Sequence, residues 1–73
     1  MADVVITNPK PSQLVKYAKG MKRISYTTTQ DTSVSSAFIV KVEPNGNYMK
    51  VRAGYKYYAI QPQNIQEISF YEY

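Results

Sequence analysis

Residues 38–68, FIVKVEPNGNYMKVRAGYKYYAIQPQNIQEI, decide the fold of this chain. Apolar and polar residues alternate on either side of two polar turns, Glu43-Pro44-Asn45-Gly46-Asn47 and Gln61-Pro62-Gln63-Asn64. Alternation with period two is the pattern of strands that bury one face. Asn45-Gly46 is a hairpin signal, because both residues tolerate positive φ. Tyr48 to Arg52 then reads as a strand with Met49 and Val51 inward and Lys50 and Arg52 outward. Gly54 marks a tight turn, Tyr57 to Ile60 is the next strand, and Pro62 ends it. Ile65 and Ile68 are three apart, a spacing that predicts a helical turn leading into a last strand, Glu67 to Tyr73.

Upstream, Val34 to Glu43 reads as a strand with Phe38, Val40 and Val42 on one face and Ala37, Ile39 and Lys41 on the other. Apolar residues on both faces suit a bent strand crossing a closed barrel. Lys22 to Thr29 alternates Ile24, Tyr26 and Thr28 against Arg23, Ser25 and Thr27, so it is a further strand. Ser12 is placed to cap a short helix whose apolar face is Leu14, Val15 and Ala18, and Gly20 to stop it. Residues 1–11, with Pro9 and Pro11 close together, read as an extended arm, either unpaired or paired with another element. Residues 12–73 read as one domain. The order is a short N-terminal α-helix followed by five strongly bent antiparallel strands, and the expected fold is mainly β, a small SH3-type barrel.

A chain of 73 residues buries only about 60% of its unfolded surface, so its core is marginal. Disulfides and histidine or cysteine metal sites are closed to it, since it has no Cys and no His. Self-association is the remaining route to added stability. The N-terminus lacks a basic start followed by an apolar run of about 7–15 residues, and no stretch reaches the roughly 18 apolar residues of a membrane span. The expectation is a soluble cytoplasmic protein. The net charge of +4 is uneven: no acid lies between Asp3 and Asp31, whereas Lys10, Lys16, Lys19, Lys22 and Arg23 do. Such asymmetry is either a solvated face or a surface that meets phosphates.

The order and spacing resemble the Sm/LSm (Hfq-like) family. Its first motif sets a small residue two before an aliphatic one and six before an Asp, which opens an Asp-x-x-Met-Asn loop. Ala37, Ile39, Glu43 and Asn47 stand at those positions here, with Gly46 in place of Met. Its second motif, Ile-Arg-Gly and two variable residues before Ile or Val, falls on Ile60-Gln61-Pro62-Gln63-Asn64-Ile65. Tyr58-Ala59 ahead of it is similar to the His-Ala of the Hfq-like branch. Gln61 and Pro62 stand where the family has Arg and Gly, which removes a charged contact. The resemblance implies a closed homo-oligomeric ring, in which the fourth strand of one subunit pairs the fifth of its neighbour. It also implies that single-stranded RNA meets the two motif loops. Carried over, the binding positions are Asn45, Asn47, Tyr48, Gln61 and Gln63, with Lys16, Lys19, Lys22 and Arg23 as the basic supplement.

Side-chain amides can read base edges, since each offers a donor beside an acceptor. The requirements of a hairpin turn explain Asn45 and Asn47 equally well. Eight tyrosines offer rings for base stacking, though strand propensity and packing also account for them. The absence of His and Cys and the scatter of five acids argue against catalysis, a metal or a cofactor. The expected function is a non-catalytic module that binds single-stranded RNA or DNA as a ring. The alternative is an SH3-like adaptor that docks a partner protein through Tyr55, Tyr57, Tyr71 and Tyr73.

Overall fold

A computed structural model describes residues 2–19 and 23–72. The elements are β1 (Val4–Thr7), α1 (Pro11–Ala18), β2 (Arg23–Thr28), β3 (Ser33–Val42), β4 (Met49–Ala53), β5 (Lys56–Ile60), a 3₁₀ turn (Pro62–Asn64) and β6 (Ile65–Tyr71). All strands join one antiparallel sheet in the order β1-β6-β2-β3-β4-β5. Among the described residues no helix is long and apolar enough to cross a membrane.

Consecutive strands pair wherever a tight turn allows. Gly54 has φ +66 and Tyr55 does not share the positive sign, so a two-residue hairpin of the II′ kind joins β4 to β5. The last strand then returns across the sheet to lie beside β2. The core is formed by Leu14, Ile24, Tyr26, Ala37, Met49, Val51, Ile60, Ile65, Ile68 and Phe70. Leu14 is the helix's contribution, and Tyr17 sets its ring 5.8 Å from that of Phe70.

Three bulges decide which side chains reach this core. Ile24 pairs Ala37 and Tyr26 pairs Val34, so β3 holds one residue more than β2 between those pairs. Ser36 takes a left-handed φ of +56 there, and its N–H donates to the Ser25 hydroxyl at 3.3 Å. A second extra residue in β3 lies between the pairs Ile39–Val51 and Lys41–Lys50. A third, Gln66, sits in β6 between the partners of Thr27 and Thr28. Each bulge moves the following side chain to the opposite face.

Several expectations are corrected by this register. The inward residues of β3 are Ala37, Ile39 and Val42, with Val34 before the first bulge; Phe38 and Val40 face solvent. Ile65 and Ile68 both reach the core because of the Gln66 bulge, within a strand that already begins at Ile65; the helical turn precedes it at Pro62–Asn64. The helix starts at Pro11 and its cap is Lys10 instead of Ser12. Pro11 suits the first helical position because it has no N–H to leave unpaired. The Gln13 side-chain oxygen accepts the Lys10 N–H at 2.8 Å. Gly20, Lys22 and Tyr73, read as helix stop, strand start and strand end, lie outside the described residues.

The sheet has six strands, one ahead of the helix, and it is not closed into a barrel. Within the arm, Val4–Thr7 pairs with β6 from Val4–Phe70 to Thr7–Glu67. Asp3 N–H donates to Phe70 O at 3.0 Å and Asn8 N–H to Gln66 O at 2.8 Å, fastening both ends of β1. The edges β1 and β5 do not pair. The curl stops short, leaving a groove of about 480 Å³ between β5 and the Thr28–Val34 corner.

Gly46 ties the β3–β4 loop to the helix. Its φ is +76, and a Cβ there would fall 2.2 Å from the Pro11 carbonyl oxygen and 2.6 Å from its carbon. Gly54 has φ +66 but open space around it. Gly46→Ala is therefore expected to lower the urea unfolding free energy by about 3 kcal/mol, since backbone displacement adds to left-handed strain. Gly54→Ala should lose only about 1 kcal/mol, the left-handed strain alone. Equal losses in the two variants would show that the loop does not press on Pro11.

Candidate nucleic-acid interface

The two amide turns leave the sheet at the same end of the β4–β5 pair. Met49, the first residue of β4, pairs Ile60, the last of β5. Tyr48 and Gln61 each lie one residue beyond that pair, so the 43–48 loop and the 61–64 turn leave the sheet together. Lys19 approaches the first of them from the helix, lining with Val42, Glu43 and Pro44 a depression of about 240 Å³. The helix thus sets a positive charge beside Glu43 at the start of that loop.

Within the first loop, Glu43 N–H donates to Tyr48 O at 3.0 Å and Gly46 N–H to Glu43 O at 2.8 Å. Asn45 turns its side-chain oxygen onto the Asn47 N–H at 3.0 Å, an Asx-turn. Its oxygen is thus engaged in shaping the loop, whereas the Asn47 side chain is exposed and Tyr48 half-buried. In the second turn, Gln61 Oε1 accepts from Gln63 Nε2 at 3.1 Å and Asn64 Nδ2 at 3.3 Å. The three exposed amides form a local cluster around one acceptor, and Asn64 is a member that sequence reasoning passed over.

Gln61 and Asn64 also rim the groove beside β5. Tyr58 and Tyr26 give it aromatic wall, and Thr28 and Thr32 give it hydroxyls. Apolar wall with a few polar groups is the usual character of a small-ligand site, and a nucleobase needs both.

Among the described residues, the basic side chains divide between the helix and the sheet. Lys16 and Lys19 are exposed on α1, with Lys16 Nζ 5.3 Å from the Tyr17 ring centroid. Arg23 instead lies on the sheet face opposite the buried Ile24, with its guanidinium 4.9 Å from the Tyr71 ring. Lys22 lies outside the described residues. Among the tyrosines considered for a protein-docking groove, Tyr55 is fully exposed at a hairpin tip. Tyr57 and Tyr71 stand on β5 and β6, with three strands between them.

Sequence reasoning sets Arg52 outward without giving it a role, and it misses Phe38 as a surface group. Unbroken alternation sets Phe38 on the face of both Val34 and Val42; the bulge at Ser36 parts it from Val34, and the second bulge, at Val40, parts it from Val42. Ser35-Ser36, small and polar inside a strand, is the signal that could have located the first bulge. Comparison with protein-family models, curated proteins and solved structures finds no match to this chain.

Burial raises the Tyr26 hydroxyl above its ordinary value of 10.0, and charge on Tyr58 works in the same direction. The fold therefore favours neutral Tyr26. That contribution to stability is fully present below pH 10 and is lost as pH rises through the folded-state value. Urea midpoints measured between about pH 9 and pH 11 should fall for the parent protein and fall less steeply for Tyr26→Phe. Parallel pH profiles would contradict this assignment.

Proposed function

We propose that the chain is a non-catalytic, Sm-like module that binds single-stranded RNA, or DNA, as a cyclic homo-oligomer. It would act in the cytoplasm in nucleic-acid processing or regulation. The observation that supports this best is the Met49–Ile60 register, which brings both amide-bearing turns to one end of the β4–β5 pair, where Gln61 and Asn64 border the β5 groove. Asn47, Tyr48, Gln61 and Gln63 would face bases there, while Lys19 and Lys16 would meet phosphates. The run from α1 to β6 supports the Sm-like reading: a helix precedes five antiparallel strands, as that resemblance implies.

Assembly follows from the edges. β6 has β2 on one side and β1 on the other, so pairing a neighbour's β5 directly to β6 would require β1 to leave. The free edges are those of β5 and β1, and unpaired edges invite pairing. Joining β5 of one copy to β1 of the next is a head-to-tail contact, which closes into a ring when the rotation permits.

Fluorescent oligo-U and oligo-A should bind with affinity that falls as salt rises. Asn47→Ala or Tyr48→Ala should weaken binding about fivefold to tenfold, the lower part of the range for losing a stacked or hydrogen-bonded base. Absence of binding to any single-stranded oligonucleotide at low salt defeats the reading. Sedimentation should give a cyclic species of several subunits; a strict monomer at high micromolar concentration removes the ring.

A further inference from the structure

The outer face of the sheet, away from the amide turns, holds one continuous row of alternating rings and cations. Arg23 pairs both Tyr71 and Phe38, Phe38 pairs Arg52, and Arg52 pairs Tyr57. Read across the strands, the row is Tyr71–Arg23–Phe38–Arg52–Tyr57. Strand spacing gives it a length of about 19 Å, with successive rings about 10 Å apart.

The cations are held against the rings. Arg23 lies 4.9 Å from the Tyr71 centroid, Arg52 lies 5.8 Å from that of Phe38, and Lys50 lies 5.1 Å from that of Tyr57. Arg52 Nη1 donates to Gly54 O at 3.0 Å, which anchors the guanidinium. Cation–π pairing across strands stabilises a sheet modestly. It does not explain why Phe38 remains 48% and Tyr57 59% exposed.

Charge on this face selects the occupant. Lys41 and Lys50 stand directly opposite each other, and like charges in that position are destabilising. Glu43 approaches Lys41 only at 3.8 Å, on an exposed site where such a pair is weak. A polyanion lying across the strands would relieve the repulsion. A ring between two guanidinium groups, with a further ring at each end of the row, suits a polyanion that also offers flat apolar faces. Single-stranded nucleic acid has both, and a duplex hides its base faces within the stack.

We infer that this row is a stacking platform for single-stranded nucleic acid, separate from the amide turns and resting on the function proposed above. Bases lie on Phe38, Tyr57 and Tyr71, while Arg23, Arg52, Lys50 and Lys41 meet the phosphates.

The test is fluorescence anisotropy with oligo-U and oligo-A of several lengths across a salt series. Phe38→Ala should weaken binding about tenfold with the slope of log K against log salt unchanged, because a ring neutralises no phosphate. Arg52→Gln should instead reduce the magnitude of that slope by about 0.7. Phe38→Tyr, which retains a ring, should bind as the parent does, and thermal unfolding identifies any variant whose fold has failed. A duplex of equal length should not compete at equal concentration.

Unchanged affinity in folded Phe38→Ala and Arg52→Gln, with Asn47→Ala still weakened, overturns the platform and leaves the proposed function standing. Equal competition by duplex overturns it as well. Binding of no oligonucleotide at all overturns both. Self-association that Phe38→Ala abolishes while oligonucleotide affinity stays the same would make this face a protein contact and overturn the platform.

Discussion

The bulge at Ser36 is the constraint on which both faces of the sheet depend. A strand with unbroken alternation after Val34 would carry Phe38 and Val40 into the core and push Ala37 and Ile39 out. One extra residue, held left-handed and bonded to the Ser25 hydroxyl, reverses that choice. The second bulge, beyond Ile39, returns Val42 to the inner side. Between the two, the inner face receives Ala37, where bulk is least, and the outer face receives a phenyl ring. Bulges also increase local bending, so the devices that sort the side chains also curl the sheet over Leu14.

A chain this small must spend its few apolar residues well, because each lost core contact is a large fraction of marginal stability. Its core draws on every strand from β2 to β6 and on the helix, with Val4 and Ile6 packed on its border. The helix is too short to persist alone. It is held by Leu14, by the Tyr17–Phe70 ring contact and by the close approach of Gly46 to Pro11. That last contact couples the helix N-terminus to the loop bearing Asn45 and Asn47, so loop shape and helix placement form one unit. β1 does for β6 what a neighbour could otherwise do: it satisfies an edge strand's hydrogen bonds and moves the open edge outward by one strand.

The chemistry divides along the same lines. The amide turns lie at the end where β4 begins and β5 stops, with Lys19 of the helix beside the first of them. Arginines, the cross-strand lysines and the exposed rings occupy the outer face. Arg23 belongs to that second group, although in sequence it closes the run of basic residues that begins at Lys10. Proximity along the chain groups the cations in one way, and the alternation of strand faces groups them in another.

Much was legible from residues 38–68 alone. Asn45-Gly46 and Gly54 marked their turns because positive φ is available to few residues, and Pro62 ended a strand because it has no N–H to offer. Met49 and Val51 inward, with Lys50 and Arg52 outward, followed from simple alternation in a strand without a bulge. The inner face of β3 was not legible in that way, since alternation is counted from a starting residue and a bulge resets the count without changing composition. Nor could residues 1–11 declare a partner: a four-residue strand gains its hydrogen bonds from β6, more than 55 positions away. Turn positions and extended segments follow from the residues themselves. Which faces those segments share is settled in the folded sheet, because pairing register is a property of two strands and belongs to neither alone.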